Sequence, residues 1–86
     1  MKRYEVLIAA CADKELAGMQ RILRQRIIEK FDDISKEPRG TDSQKLDEAT
    51  YRVRVGDYRM IYRVDDKEHT VLVTRIRHRR EVYRKR

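Results

Sequence analysis

The chain has no tryptophan, one proline, three glycines, one cysteine and two histidines among its 86 residues. A lone cysteine, Cys11, excludes an internal disulfide, and with only His69 and His78 beside it no convincing zinc site can be assembled. Cys11 itself is expected to be a small buried residue at a strand end. No apolar stretch approaches the roughly 18 residues a membrane span requires; the longest runs from Val6 to Ala12. The amino end, Met1-Lys2-Arg3-Tyr4-Glu5-Val6, carries no apolar signal core. There are no internal repeats and no low-complexity linkers. These absences leave a single cytoplasmic domain, residues 1–86, with a modest core, no cofactor and no membrane partner as the expectation.

Charge is what the chain has in abundance. Charged residues make up 43% of it and the formal net charge is +7. Residues 1–43 hold nine basic and eight acidic side chains, residues 44–86 thirteen and seven, so the excess lies in the second half. From Arg52 onward there are ten arginines against only Lys67 and Lys85. Guanidinium is the group of choice where planar, two-pronged contact with phosphate is needed. The competing reading is an arginine-rich surface tuned for stability. Concentration of the excess in one half favours nucleic acid or another polyanion as partner.

Residues 2–10 read as a first strand, Asp13 to Leu16 as a short helix stopped at Gly18, and 19–35 as a longer amphipathic helix. Its stripe is Met19, Ile22, Leu23, Ile27, Phe31 and Ile34, joined by Ile28. Residues 36–43, with Pro38 and Gly40, read as a loop. Beyond Leu46 the pattern changes to period two, with strands over 51–55, 58–64 and 70–77. The order β-α-α-β-β-β fits an α+β fold: an antiparallel sheet with both helices on one face and a short basic tail, 78–86.

Gly56-Asp57 between two alternating runs is a strong hairpin signal, since glycine supplies the positive φ of the tight turn. With those two in the loop, Arg54 faces Arg59, Val53 faces Met60 and Tyr51 faces Tyr62. One face carries Tyr51, Val53, Val55, Tyr58, Met60 and Tyr62. The other carries Arg52, Arg54, Arg59, Ile61 and Arg63. Pairing Val64 with Thr70 in the next hairpin sets Arg75 beside Arg59, making a row of Arg54, Arg59 and Arg75. On that register Val71 and Val73 share the arginine face with Ile61. Like charges facing each other destabilise a sheet by up to about 1 kcal/mol, so an uninterrupted arginine row reads as an anion-binding face.

The segments Tyr51-Arg-Val-Arg-Val-Gly-Asp-Tyr-Arg-Met-Ile-Tyr62 and Arg77-His-Arg-Arg-Glu-Val-Tyr83 resemble the RelE branch of the RelE/ParE toxin superfamily. The resemblance extends to Ala12-Asp-Lys-Glu-Leu16, the long helix before Pro38, and Lys45-Leu46. It implies a toxin of a toxin–antitoxin pair, an endoribonuclease that cuts mRNA in the ribosomal A site without metal or cofactor. The 2′-hydroxyl would attack the adjacent phosphate, leaving a 2′,3′-cyclic phosphate and a 5′-hydroxyl. Family positions fall on Arg52 and Arg54, on Arg59, on Arg79 or, with a small gap, Arg77, and on Tyr83. Arg63, Arg75, Lys45, Arg80 and Arg84 are the further candidates for contact with mRNA or rRNA. Ile61, Val71 and Val73 are the expected antitoxin surface. Well-known relatives carry lysine where this chain has Arg52 and Arg54, and arginine is a poor general base. The remaining candidates for that role are His78, Glu81, Glu48 and Lys45. Two other readings share the fold: a ParE-like toxin that binds gyrase, and a non-catalytic RNA- or ribosome-binding module.

Overall fold

A computed structural model describes residues 3–78. The elements are β1 (Glu5–Ile8), α1 (Ala10–Ala17), α2 (Arg21–Lys36), β2 (Ser43–Lys45), β3 (Thr50–Val55), β4 (Tyr58–Asp65) and β5 (Thr70–His78). They form one five-stranded sheet in the order β1-β5-β4-β3-β2. β1 runs parallel to β5 while the other pairings are antiparallel, so the sheet is mixed rather than antiparallel throughout. The parallel pair joins segments some sixty residues apart, a choice that local periodicity does not encode. β2 is the other departure. It has no strong strand formers and is defined by its pairing with β3, where Gln44 lies opposite Arg52.

The core lies between the helices and one face of the sheet. Ile27 and Ile34 of α2 and Ala12 and Leu16 of α1 join Tyr51, Val53, Met60, Tyr62, Val64, Val71, Val73 and Ile76 in one buried cluster. Full burial of each large side chain contributes about 1.5–3 kcal/mol. Leu23 and Phe31 pack against this cluster. Ile22 does not: it is 74% exposed, and Ile28 is also exposed. One residue along a helix is about 100° around it, which carries Ile22 off the stripe. Cys11 is exposed on α1, not buried at a strand end, because the helix begins at Ala10 instead of near Asp13.

The β3–β4 hairpin has the anticipated register, with Val55 opposite Tyr58, Arg54 opposite Arg59 and Tyr51 opposite Tyr62, and Gly56 at φ 61°. The β4–β5 hairpin does not. Asp65 pairs with Thr70, leaving a four-residue loop whose last residue, His69, sits at φ 58°. A one-residue slip exchanges the two faces of a strand. Val71 and Val73 therefore point into the core and are fully buried, so they are not part of the arginine face or of a partner surface.

At the end of the sheet where β4 gives way to its loop, Arg39 ties the α2–β2 connection to the strands. Its Nε donates to the Tyr51 hydroxyl at 3.0 Å and its Nη2 to Asp66 Oδ2 at 2.8 Å. The Tyr4 hydroxyl donates to Asp66 Oδ1 at 2.7 Å, and the Tyr4 ring stacks on His69. These bonds hold the Asp66 carboxyl below the usual range and raise the Arg39 and Tyr4 pKa values. The Tyr62 hydroxyl closes the same end by donating to the Pro38 carbonyl at 2.6 Å.

Candidate nucleic-acid interface

The second face of the sheet is built by alternation. On β3 it presents Arg52 and Arg54, and on β4 Arg59, Ile61 and Arg63. β5 then departs from simple alternation. Its register against β4 shifts between Ile61 and Tyr62, so that Tyr62 pairs with Val73 but Ile61 pairs with Arg75. Thr74 is the extra residue, and its Oγ1 donates to the Ile61 carbonyl at 3.2 Å. The bulge has a clear reason in the sequence. Without it Arg75 would face the buried Met60; with it Ile76 does.

Together the shorter loop and the bulge rewrite the arginine row. Arg54, Arg59 and Arg77 lie abreast on three neighbouring strands. Arg75 is opposite Ile61 instead of Arg59, a correction to the expected row. Arg63 shares the face, one strand step from Leu72. Lys45 lies opposite Tyr51 and His78 opposite Tyr58, which sets both on the helix side of the sheet rather than with the row. The His78 ring meets Tyr58 edge-on at 5.2 Å. Glu48 precedes β3. Arg79, Arg80, Glu81, Tyr83 and Arg84 lie outside the described residues.

Around the row the structure adds groups that the pattern did not signal. Arg52 donates to the Gln44 side-chain oxygen. Asp42, Gln44, Arg52, Arg54 and Arg59 line a cleft of about 150 Å³. Lys30 donates to Asp42, which holds that carboxyl below its ordinary pKa. On the other flank Glu15 of α1 pairs with Arg75 at 3.0 Å and lies 3.6 Å from Arg77 Nε. Leu7 and Leu72, paired on β1 and β5, are exposed beside Ile61 on the same face. Period two would have found Leu72 had the loop length been known, whereas Leu7 follows only from the parallel β1–β5 pair. Nothing local marks Glu15, whose partners are sixty residues away.

A row of guanidinium groups can grip a phosphate by charge-assisted, paired hydrogen bonds and stabilise extra negative charge on phosphorus. It cannot take a proton, because arginine stays protonated. Among the described residues no three His, Cys, Asp or Glu side chains gather closely enough to hold a metal ion, and no helix is long and apolar enough to cross a membrane.

Residues 6–83 match the family described as the ParE toxin of type II toxin–antitoxin system, parDE. The chain is similar to Toxin RelG of Mycobacterium tuberculosis, with 34% identity over 85 residues that cover 95% of this chain and 98% of that protein. It also resembles a chain of the RelBE2 toxin–antitoxin complex of the same organism, at 30% identity and a TM-score of 0.80 over 91% of this chain and 93% of that one. A chain of the archaeal RelE–RelB complex from Pyrococcus horikoshii OT3 superimposes with a TM-score of 0.81 at 30% identity, covering 90% and 96% of the two chains.

Proposed function

The chain belongs to the ParE toxin family of type II toxin–antitoxin systems, in its RelE-like branch, and on that premise we propose that it is a ribosome-dependent endoribonuclease that cuts mRNA without metal. The observation that carries this reading is the row of Arg54, Arg59 and Arg77 across β3, β4 and β5. A ribose 2′-hydroxyl attacks the neighbouring phosphorus, the bond to the 5′ oxygen breaks, and a 2′,3′-cyclic phosphate and a 5′-hydroxyl result. One proton leaves the 2′ oxygen and one joins the 5′ oxygen. In the transition state negative charge accumulates on the non-bridging oxygens. Arg59, flanked on both sides by arginine, is best placed to meet it, and Arg52 steadied by Gln44 extends the contact along the backbone. Arg79 and Tyr83, matched by the resemblance, are further candidates for the same chemistry and lie outside the described residues. No arginine supplies the base, so in-line orientation and charge stabilisation carry most of the rate.

The two solved structures named above are toxin–antitoxin complexes. By extension a cognate antitoxin covers this chain's second sheet face, setting apolar groups on Ile61, Leu72 and Leu7 and carboxylates against the arginines. Primer extension on mRNA translated in vitro tests the reading. Cuts in codon register that vanish in Arg59→Ala support it. Stalled DNA gyrase with intact mRNA would replace it with the ParE-like reading, and ribosome binding without cuts with the non-catalytic one.

A further inference from the structure

β1 ends at Ile8, opposite Val73, and the Ala9 N–H still donates to the Val73 carbonyl at 2.9 Å. Beyond that point no strand among the described residues pairs with β5 on this side. Its Ile76 N–H would face an open edge, and α1 fills the place. Glu15 Oε1 accepts the Ile76 N–H at 2.7 Å. The second oxygen of the same carboxylate accepts from Arg75 Nη2 at 3.0 Å and lies 3.6 Å from Arg77 Nε. One carboxylate, only 24% exposed, is thereby clamped to the backbone between two arginines, and one of those belongs to the row.

We propose that Glu15 is a positioning residue for the arginine row: fixed to β5 through the Ile76 N–H, it holds the Arg77 guanidinium in line with Arg59 and Arg54 so that the three meet one phosphate. The inference rests on the ribonuclease reading. Contact through Nε engages a different part of the guanidinium from the terminal amines that grip phosphate in pairs. It also offsets like-charge crowding, since Arg77 stands directly beside Arg59. A purely architectural role, pinning α1 to β5, would need only the hydrogen bond to Ile76. Glutamine can make that bond through its amide oxygen but brings no charge to the arginines. The Glu15→Gln variant therefore separates the two roles.

Single-turnover cleavage on programmed ribosomes is measured for the parent, Glu15→Gln, Arg77→Ala and the double variant. Glu15→Gln should melt within about 3 °C of the parent, and its saturating rate should fall about tenfold, the scale of a sub-ångström misplacement. The toxin concentration for half-maximal rate should stay within about twofold, because the loss is of alignment and not of encounter. In the Arg77→Ala background the same change should cost nothing further. A parental rate for Glu15→Gln, or an equal loss in both backgrounds, overturns the positioning role alone. A parent that cuts no mRNA on ribosomes overturns the ribonuclease reading and the positioning role with it. Should Glu15→Gln fail to fold, the parent still decides: the Arg77 Nε proton should exchange with solvent more slowly than that of Arg54, and equal exchange rejects the proposal.

Discussion

Arg39 and the row of Arg54, Arg59 and Arg77 sit at opposite ends and on opposite faces of the sheet, in different surroundings. Arg39 is held by acceptors: the Tyr51 hydroxyl, Asp66 Oδ2, and the Tyr51 ring 5.6 Å from its guanidinium carbon. Arg54, Arg59 and Arg77 instead stand beside one another on three strands, with Asp42 in the cleft at one flank and Glu15 3.6 Å from Arg77 Nε at the other. The residue type is the same and the surroundings decide its role. A cation ringed by protein acceptors holds the fold together; cations ranked side by side cost stability unless an anion joins them. Substitution at the first should register as lost stability, and at the second as lost rate.

The widest separation is expected at Arg59. Arg59→Ala should remove a contact worth about 2.7–4 kcal/mol to the phosphate transition state, a hundredfold to a thousandfold in cleavage rate. Growth inhibition should vanish while the melting temperature stays within about 3 °C of the parent. A melt lowered by many degrees would place Arg59 with Arg39 and dissolve the contrast.

A gain of about tenfold is expected in the opposite direction from Arg52→Lys or Arg54→Lys. Lysine crowded by cations loses its proton more readily than in water, whereas arginine keeps its own. The deprotonated amine can take the 2′-hydroxyl proton, so the logarithm of the single-turnover rate should rise with pH between about 6 and 9 more steeply than in the parent. Equal or slower rates for both variants across that range would direct attention to Glu48 or Glu81. His78 is a weaker choice, because register sets it beside Tyr58 on the helix side.

How much of this was legible follows from the range of the signals. The β3–β4 hairpin could be read to the residue, because Gly56-Asp57 fixes the turn and the alternation of Tyr51 to Val55 fixes the faces. The α2 stripe was legible apart from Ile22 and Ile28, where helix phase had to be resolved to one position. The β4–β5 hairpin was not: Asp65 to His69 contains no turn pair that sets the loop length. One residue of error exchanged Val71 and Val73 with Leu72. The bulge at Thr74 then moved Arg77, not Arg75, beside Arg59. Arg54 and Arg59 survive in the site because they depend on the local turn, whereas the third arginine depends on a register settled by core packing of Ile76. β2, the parallel β1–β5 pair and Glu15 depend on contacts made only once the sheet exists.

At the other end, Arg39→Ala should leave cleavage at 25 °C near the parent and cost about 1 kcal/mol of stability, a fall in melting temperature of roughly 4–8 °C. The pair is partly exposed, which keeps the figure near that of a surface contact with one added hydrogen bond. Loss of cleavage in proportion to loss of Arg39 would tie the two ends together and break the division of labour.

The smallest effect, and the finest test of the division, is the acid response of Asp66. Donation from Tyr4 and then from Arg39 holds its carboxyl below the ordinary value of 3.8. A carboxyl whose folded pKa lies below its unfolded one stabilises the fold fully above the unfolded value, and that contribution is lost as pH falls through it toward the folded value. The folded protein should therefore lose stability as pH drops below about 4, and Asp66→Asn should flatten part of that slope while lowering stability at neutral pH. Denaturant melts of the two proteins between pH 7 and pH 3 should converge as the parent's carboxyl takes up its proton. Asp32, Asp42 and Asp47 are depressed as well, by Arg3 and Lys36, by Lys30, and by Thr50 and Ala49. Convergence should thus be partial, with a common residual slope. Parallel curves for parent and Asp66→Asn would mean that Asp66 keeps no special hold on Tyr4 and Arg39. The contrast between a cation enclosed by acceptors and cations arrayed for an anion would then rest on Tyr51 alone.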